Sequence, residues 1–520
     1  MNSSLLPIIA HARSGSLDRA WRMFEDAGFG GVEDDPAVLS VRGRLLKDRA
    51  RGAEGAERTQ LFLEAADAYA RAARIGGATY PLINAATLSL LAGLRDQAEI
   101  LARGVLERGE DEEETPYYRA ATRAEALLLI GDVARAKTEF AAAIALAPQA
   151  YEDHASTLRQ FASILDELRE DKTWLDPLRP PRSLHFAGHM ALAGASDALG
   201  RNIRDTLRNE RVGFGYGALA AGADILIAEA LLEAGAELNV ILPGPRTQFR
   251  ESSVAPFGDD WAARFDRIVD AAETVRSIAV EPGAPAELAI QLAAEIAMGS
   301  TAMRARMLMT EAVQLLILDR AAVQGSSGSD RIGAIWNESG RRQFVLAAPR
   351  IRARNAKPAL ANNAGFELAA LMRIDLPESG GSTETLGQLA GTLASGPTPL
   401  LAPRWTGEAV LVAYDNPAAA TDAALSVAHM LAGRADLRIA GHYGLVRRAE
   451  NPFGGEPILT GAASALPGRM IHSTPSGAIH VTEDFAAALC AGSSSARFEF
   501  VGELPGSDIV DPTKLFSLCR

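Results

Sequence analysis

The chain has 520 residues, of which 48% are hydrophobic and 22% charged, and its formal net charge is −13. This length predicts about three domains, because a single hydrophobic core stops growing at roughly 250–300 residues. The negative charge argues against nucleic acid as the main partner, since duplex affinity depends on Lys and Arg that neutralise phosphates. With only two cysteines, Cys490 and Cys519, the chain can build neither a disulfide framework nor a cysteine zinc site.

The N-terminal segment MNSSLLPIIAHARSGS lacks the basic region that precedes the apolar run of a signal peptide. The most apolar later stretches are too short or carry acidic residues, so no stretch of about 18 residues is suited to a membrane. We therefore expect a cytoplasmic protein that binds neither membrane nor nucleic acid.

A repeated helical pattern occupies residues 1–178. Two segments place a glycine, an alanine, an aromatic residue and an alanine at steps of five, four and three; they are Gly15, Ala20, Phe24, Ala27 and Gly131, Ala136, Phe140, Ala143, the second ending at Pro148. Weaker copies contain Ala65, Tyr69, Ala72 and Gly93, Ala98, Ala102, Val105. The pattern resembles the second helix of a tetratricopeptide repeat, whose period is about 34 residues. The resemblance implies a scaffold for a protein partner; a generic helical bundle is the alternative.

A domain with alternating strands and helices is expected over residues 179–352, after the prolines of residues 173–183 end the helical region. The pattern predicts a parallel, doubly wound sheet. Its elements are strands at Leu184–Ala187, Glu237–Leu242 and Gln343–Ala347, and helices at Asp197–Asn209, Ala223–Ala234 and from Ala286 through Arg304 to Leu318, with a Gly-rich turn after the first helix. A Gly/Ser loop at 323–330 and a polar link near Arg352–Gly365 follow.

A small-residue turn opens the helix at Ala223, in the segment GFGYGALAAGADILIAEALL. Gly217, Ala218, Gly222, Ala223 and Asp224 carry a resemblance to the SLOG superfamily of Rossmann-like nucleotide-binding domains. The resemblance implies a nucleotide at the strand ends, near Gly188 and the N-terminus of the helix, with Arg304 as a counter-charge.

Two alternatives stay open for this domain. The glycines serve only tight packing of helix on sheet, or the domain hydrolyses a ribosyl bond with Asp224 or Glu229 as acid or nucleophile. The spacing of His185 and His189 suggests a metal site, but no third ligand is nearby in the sequence. We therefore expect local hydrogen bonds for both histidines.

The segment 362–520 predicts a mixed, ferredoxin-like α/β domain. Strands are expected at Glu367–Ile374, Ala409–Tyr414, Leu437–Tyr443, Ala478–Thr482 and Phe498–Val501, and helices at Thr383–Ala394 and Ala418–Leu431. The order of its landmarks resembles the class III nucleotidyl cyclase domain, in the variants found behind helical repeats of bacterial proteins. Those landmarks are LMRID, TGE, LRIAGHYG, Gly461–Arg469, PSGAIHVTE and the closing FEFVGEL with KLFSL.

The cyclase resemblance implies two carboxylates that hold two Mg²⁺ or Mn²⁺ ions, an Arg and an Asn that stabilise the transition state, and a Lys that reads the purine. Asp375 matches the first carboxylate, Glu408 stands where the family has Asp, and Arg469 matches the Arg. Departures are Ala465 for the Asn, Arg404 for the Lys, Ile458 near the polar purine partner, and Leu-Pro-Glu-Ser-Gly after Asp375. The alternatives are that Asp375 and Glu408 are solvated acids and that Arg469 is a plain surface residue.

We therefore predict a nucleotide-binding signalling protein, a homodimer whose degenerate cyclase-like domain dimerises or senses nucleotide while the repeats bind a protein partner. The first alternative is an active, atypical cyclase that makes a cyclic nucleotide with two metal ions. The second is nucleotide-processing hydrolysis in the central domain.

Overall fold

The computed structural model describes residues 5–108, 114–190, 192, 197–278, 281–319, 328–350, 365–376, 382–431, 437–452, 454–492, 496–506 and 512–519. Two compact units are present: Met1–Pro180 with Met307–Met309 and Arg520, and Pro181–Arg306 with Thr310–Cys519. The predicted link at 352–364, residues 323–327 of the Gly/Ser loop and residues 377–380 of the turn after Asp375 lie outside the described residues. No helix in the described ranges has both the length and the apolar character needed to cross a bilayer.

The first unit is helical, as predicted. Its helices are α1 (Leu5–Arg13), α2 (Leu17–Asp26), α3 (Pro36–Ala50), α4 (Gly55–Gly76), α5 (Thr79–Leu91), α6 (Arg95–Glu107), α7 (Pro116–Leu129), α8 (Val133–Leu146) and α9 (Tyr151–Leu168). Helix α3 begins at Pro36, where the Asp35 carboxylate accepts the N–H groups of Ala37 and Val38. Gly15, Gly93 and Gly131 have φ near +80°, so each supplies the left-handed turn between two helices.

The repeated small and aromatic positions lie on α2, α4, α6 and α8 and form the cores of this unit. Each is at most 3% exposed: Ala20, Phe24, Ala65, Tyr69, Ala72, Ala98, Ala102, Val105, Ala136, Phe140 and Ala143. Ala27 is the exception, because α2 ends at Asp26 and leaves it exposed as the C-cap. The helical repeat pattern is therefore confirmed on the second helix of each pair.

The second unit begins with a six-stranded parallel sheet of order β4-β3-β2-β1-β5-β6. Its elements are β1 (Arg182–Gly188), α10 (Asp197–Asn209), β2 (Val212–Gly217), α11 (Ala223–Glu233), β3 (Glu237–Leu242), α12 (Arg246–Ser253), α13 (Asp259–Ala271), β4 (Thr274–Ser277), α14 (Ala286–Met307), β5 (Ala312–Leu318), α15 (Gly328–Glu338) and β6 (Arg342–Ala347). The predicted parallel sheet is confirmed.

Two predictions within this sheet are wrong. The helix expected to continue to Leu318 ends at Met307, and AVQLLIL forms the buried strand β5. A continuous apolar run of that length fits a buried parallel strand as well as a helix. The Gly-rich turn after α10 is strand β2, where Gly215 and Gly217 leave the space that Leu231 and Phe186 fill.

A mixed eight-stranded sheet completes the second unit, with order β13-β14-β12-β10-β7-β9-β8 and β11 beside β10. Its elements are β7 (Phe366–Asp375), α16 (Thr383–Ser395), β8 (Leu401–Trp405), β9 (Ala409–Tyr414), α17 (Pro417–Met430), β10 (Arg438–Ala449), β11 (Ile458–Thr460), α18 (Ala462–Met470), β12 (Ile479–Thr482), α19 (Glu483–Ala491), β13 (Arg497–Leu504) and β14 (Thr513–Cys519). The predicted strands and helices are confirmed; β8, β11, β14, α18 and α19 were not predicted.

Helices cover both faces of the mixed sheet. Helix α18 packs on β7 and β10, over the face that carries Ala369 and Leu371. Gly441 of β10 lies opposite Met372 of β7 and next to Phe485 of α19, so α19 covers the other face. Successive residues of a strand point to opposite faces, so Arg373 and Asp375 share the α18 face.

Candidate functional site

The two predicted metal ligands lie at neighbouring strand ends. Asp375 ends β7, Glu408 directly precedes β9, and the antiparallel pairing sets Asp375 opposite Ala409. The Leu376 N–H also donates to the Glu408 carbonyl at 3.3 Å. The topology therefore brings both carboxylates to one edge of the sheet, where the Asp375 side chain is 22% exposed and the Glu408 side chain 77%.

A guanidinium lies between these carboxylates. Arg373 donates from Nε to Oδ1 of Asp375 at 2.6 Å and from a terminal nitrogen to Oε1 of Glu408 at 3.1 Å. The hydrogen bond with Asp375 raises the pKa of Arg373 above its ordinary value. Sequence reasoning missed Arg373, although its spacing of two residues from Asp375 on a strand indicates a shared face.

The residues at this edge do not fit the two metal ions that the cyclase resemblance implies. Within the described ranges, no three His, Cys, Asp or Glu side chains converge as a metal site. Arg373 already supplies the positive charge between the carboxylates, and a divalent ion would have to displace it.

The other cyclase-like residues share this face without converging. Arg404 lies opposite Leu411 of β9, which in turn lies opposite Arg373, so Arg404 is two strands away, or about 10 Å. Arg469 is on α18, next to Gly468, where an added Cβ would lie 4.0 Å from a terminal nitrogen of Arg373. The Arg469 side chain itself donates to the Pro505 carbonyl at 2.9 Å. Ala465 is exposed on the same helix and adds no donor.

A second candidate site is a cavity of about 400 Å³ at the carboxyl ends of β1, β2 and β3. This is the edge where parallel α/β sheets bind ligands. Helices α11 and α14 wall it. The lining includes His185, Gly188, His189, Ala218, Asp224, Ile241, Phe249, Ile290, Ala293, Ala297, Ile332 and Arg350.

The predicted nucleotide-binding residues divide between this cavity and other places. Gly188, Ala218 and Asp224 line it. Gly217 is packed so that an added Cβ would lie 2.6 Å from the Phe186 carbonyl oxygen, and Gly222 caps α11 with φ +114°. Arg304 lies elsewhere, with its guanidinium 4.7 Å from the centre of the Phe214 ring and 3.9 Å from the Glu237 carboxylate.

Asp224 is a buried acid at the start of α11, 6% exposed. Its Oδ2 accepts from the Ala220 N–H at 3.1 Å, whereas its Oδ1 has no hydrogen-bond partner among the described residues. Burial raises the pKa of Asp224 to about 7, against a smaller opposing effect of the Ala220 and Gly188 N–H groups. The side chain is therefore poised to be neutral or charged near neutral pH.

The two histidines of β1 differ. His185 is hydrogen-bonded to Gln314 at 2.9 Å and stacked on Trp336, and burial lowers its pKa to about 3. The expected local hydrogen bond is thus present at His185. His189 is 7% exposed, and neither ring nitrogen makes a hydrogen bond within the described part of the chain. Burial lowers its pKa, and the Ile317 and Pro349 carbonyls, which lie near the ring without forming a hydrogen bond to it, partly oppose this.

Helix α14 connects the cavity to the mixed sheet. It lines the cavity through Ile290, Ala293 and Ala297. Its Glu295 accepts a hydrogen bond from the Tyr443 hydroxyl of β10 at 2.8 Å. At Gly299 the helix lies so close to α19 that an added Cβ would meet the backbone of Ala487.

Charged groups reinforce this junction. Arg276 at the end of β4 contacts Glu483 at 3.1 Å and Asp484 at 2.5 Å, at the start of α19. The Glu281 carboxylate accepts the Ala462 N–H at 3.1 Å, at the first turn of α18. Arg341 donates to the carbonyls that end α19, those of Cys490, Ala491 and Gly492, at 2.7–3.0 Å. Both ends of α19 are therefore held by the parallel sheet.

Comparison with known proteins gives one family and several cyclase structures. Residues 6–89 match the family described as Tetratricopeptide Repeats-Sensor. The catalytic core of a rhodopsin-guanylyl cyclase with converted specificity, in complex with ATPalphaS, is 16% identical, with TM-score 0.26, covering 30% of this chain and 97% of that one. The guanylate cyclase domain of RhGC from Catenaria anguillulae with GTP is 17% identical (TM-score 0.24, 30% and 97% covered). The adenylyl cyclase CyaB from P. aeruginosa is 12% identical (TM-score 0.24, 30% and 95% covered). No curated protein matches this sequence.

Proposed function

We infer that this chain is a nucleotide-responsive signalling protein in which the parallel sheet binds the ligand and the mixed, cyclase-like sheet receives the signal without turnover. The observation that carries this inference is the position of α14. Ile290, Ala293 and Ala297 of this helix line the cavity. Its Glu295 contacts β10 and its Gly299 contacts α19 of the mixed sheet. A single helix thus contacts both the ligand cavity and the mixed sheet.

The contact between α14 and the mixed sheet is tight, which favours transmission of a small displacement of α14. Close-packed interiors pass displacements on instead of absorbing them. At Gly299 the backbone of α14 lies directly against the backbone of Ala487, so no side chain can deform at that contact. A displacement of α14 by a ligand at Ile290 or Ala293 therefore moves α19, whose ends Arg276 and Arg341 also hold.

The two carboxylates at the ends of β7 and β9 support the proposal that this sheet has no turnover. Arg373 occupies the space between Asp375 and Glu408, so two metal ions would have to compete with an intramolecular cation. Ala465 also lacks the polar group that the cyclase resemblance requires there, and losing one such donor costs on the order of a hundredfold in rate. Dimerisation or nucleotide sensing remains for this domain.

The helical unit is proposed as the arm that binds a protein partner. The family that residues 6–89 match is described as a sensor, which supports a role in detection. The mixed sheet is proposed as the homodimer surface, and Leu411, 39% exposed beside Arg373 and Arg404, is its apolar centre. The cytoplasm is the proposed location.

Hydrogen exchange of the full chain, with and without nucleosides and nucleotides, tests the signalling path. We expect a ligand to change exchange in the cavity wall of α14 and also in α19 and β10. Tyr443→Phe removes the hydrogen bond to Glu295, so it should weaken the response of β10 while ligand binding persists.

Tyr414→Phe is the matched control, because the Tyr414 hydroxyl is buried without a partner in the described ranges. It should leave the response unchanged. A ligand-induced change that stops at the parallel sheet would contradict the proposed path.

An active, atypical cyclase is the second candidate, favoured by the side-by-side placement of Asp375 and Glu408 next to α18. It requires Arg373 to leave both carboxylates during turnover. Ribosyl hydrolysis is favoured only by Asp224, because Glu229 is held by Arg264 through contacts of 2.8 and 2.5 Å.

A further inference from the structure

The cavity under α14 has little charge with which to receive an anionic ligand. Its walls are mainly apolar, with Ile241, Phe249, Ile290 and Ile332 among them. Arg350, which is exposed, is the one Lys or Arg among the described residues of the lining. A polyphosphate would therefore lie beside the Asp224 carboxyl with a single cation to offset its charge.

The cavity does contain two buried polar groups that need a partner. Oδ1 of Asp224 and both ring nitrogens of His189 are buried without hydrogen bonds in the described part of the chain. The His189 carbonyl accepts the Ala223 N–H at 3.5 Å, so the two side chains spring from adjoining backbone. An unsatisfied buried polar atom is costly, so each one calls for an explanation such as a bound water, ion or ligand.

We propose that this cavity binds an uncharged nucleoside, with the polar edge of the base hydrogen-bonded to Asp224 and His189. The proposal rests on the proposed function and replaces its nucleotide ligand by a nucleoside, which carries no phosphate. A base offers adjacent donors and acceptors on a flat apolar ring, which suits two polar groups set among apolar walls. A volume of about 400 Å³ is within the range of small-molecule sites.

The protonation states agree with this ligand. Burial raises the pKa of Asp224 to about 7 and lowers that of His189, so a neutral pair is accessible near neutral pH. Asp224 as an acid donates and accepts at one edge, and neutral His189 has one donor and one acceptor nitrogen. The neutral Asp224 and His189 side chains therefore match the polar edge of a base and provide no positive charge for a phosphate.

Calorimetric titration of the full chain with adenosine, guanosine, cytidine and uridine, and with their triphosphates, tests the proposal. We expect at least one nucleoside to bind at least tenfold more tightly than its triphosphate. His189→Phe keeps a ring but removes both nitrogens, and Asp224→Ala removes the carboxyl; each should weaken binding at least tenfold.

Ala294→Phe adds a ring to the cavity from α14 and leaves Asp224 and His189 unsubstituted, so it keeps the test valid if the buried variants fail to fold. It should abolish binding, while Ala286→Phe, at an exposed position of the first turn of α14, should not. Tighter binding of a triphosphate in the cavity, or no nucleoside binding at all, would overturn the proposal.

The outcomes separate this proposal from the signalling path. Nucleoside binding that Ala294→Phe removes, without any change of exchange in α19, supports the ligand assignment and contradicts the path. A triphosphate that binds in the cavity and changes exchange in α19 contradicts the nucleoside assignment and supports the signalling path.

Discussion

The contact between α14 and α19 can be tested by adding one methyl group. Gly299→Ala places a Cβ 1.7 Å from the Ala487 carbonyl oxygen, whereas ordinary contacts begin at 3.4 Å. The opposing atoms are backbone, so relief requires the two helices to separate locally by roughly 1.7 Å. Overpacking of this kind costs about 1–3 kcal/mol, and rigid backbone on both sides favours the upper end.

A matched substitution isolates that cost from helix propensity. Gly391→Ala lies inside α16 of the same compact unit, where an added Cβ meets no described atom within 4 Å. It should stabilise by about 0.8–1 kcal/mol, since Ala is the better helix former. Gly299→Ala receives the same benefit but should still lose about 2 kcal/mol overall.

Urea unfolding followed by circular dichroism measures both variants against the parent chain. We expect the midpoint to fall for Gly299→Ala and to rise for Gly391→Ala. Equal stabilisation by both substitutions would refute the close approach of α14 to α19, and with it the proposed path of the signal.

Three further predictions concern charge. Arg373→Met should cost about 1–2 kcal/mol of stability in metal-free buffer and create Mn²⁺ affinity at the freed carboxylates, measurable by electron paramagnetic resonance, whereas exposed Arg404→Met should do neither. Folded Asp224, with its pKa raised to about 7, retains a proton that the unfolded chain releases above about pH 4. Stability should therefore fall as pH rises from about 4 to 7, and Asp224→Asn should remove that slope in urea titrations at several pH values. Arg341→Ala should lose about 2–3 kcal/mol through its backbone hydrogen bonds to the end of α19, against less than about 0.5 for exposed Arg331→Ala.

Local patterns predicted much of this fold because they record burial along single elements. The spacing of Ala136, Phe140 and Ala143 reports one helix face, and all three are buried. The wrong prediction of a helix at β5 has the same cause, since local patterns record only burial. A strand buried on both faces shows no alternation, so AVQLLIL reads as a continuation of α14.

The sites were predicted less completely, because they depend on contacts between distant segments. Landmark order places Asp375 and Glu408 together, but the role of Arg373 emerges only when β7 pairs with β9. The resemblance predicts Arg304 near a phosphate, yet Arg304 lies beyond the part of α14 that lines the cavity and contacts Phe214. The unpartnered nitrogens of His189 have no signature in the sequence.

A turnover assay tests whether the mixed, cyclase-like sheet lacks catalytic activity. Purified protein is incubated with each of the four ribonucleoside triphosphates and Mn²⁺ or Mg²⁺, beside Asp375→Ala and Arg469→Ala variants, and cyclic nucleotide is measured. We expect no product above the level of the variants. Cyclic nucleotide that the parent chain makes and both variants lose would contradict this expectation and establish an active, atypical cyclase.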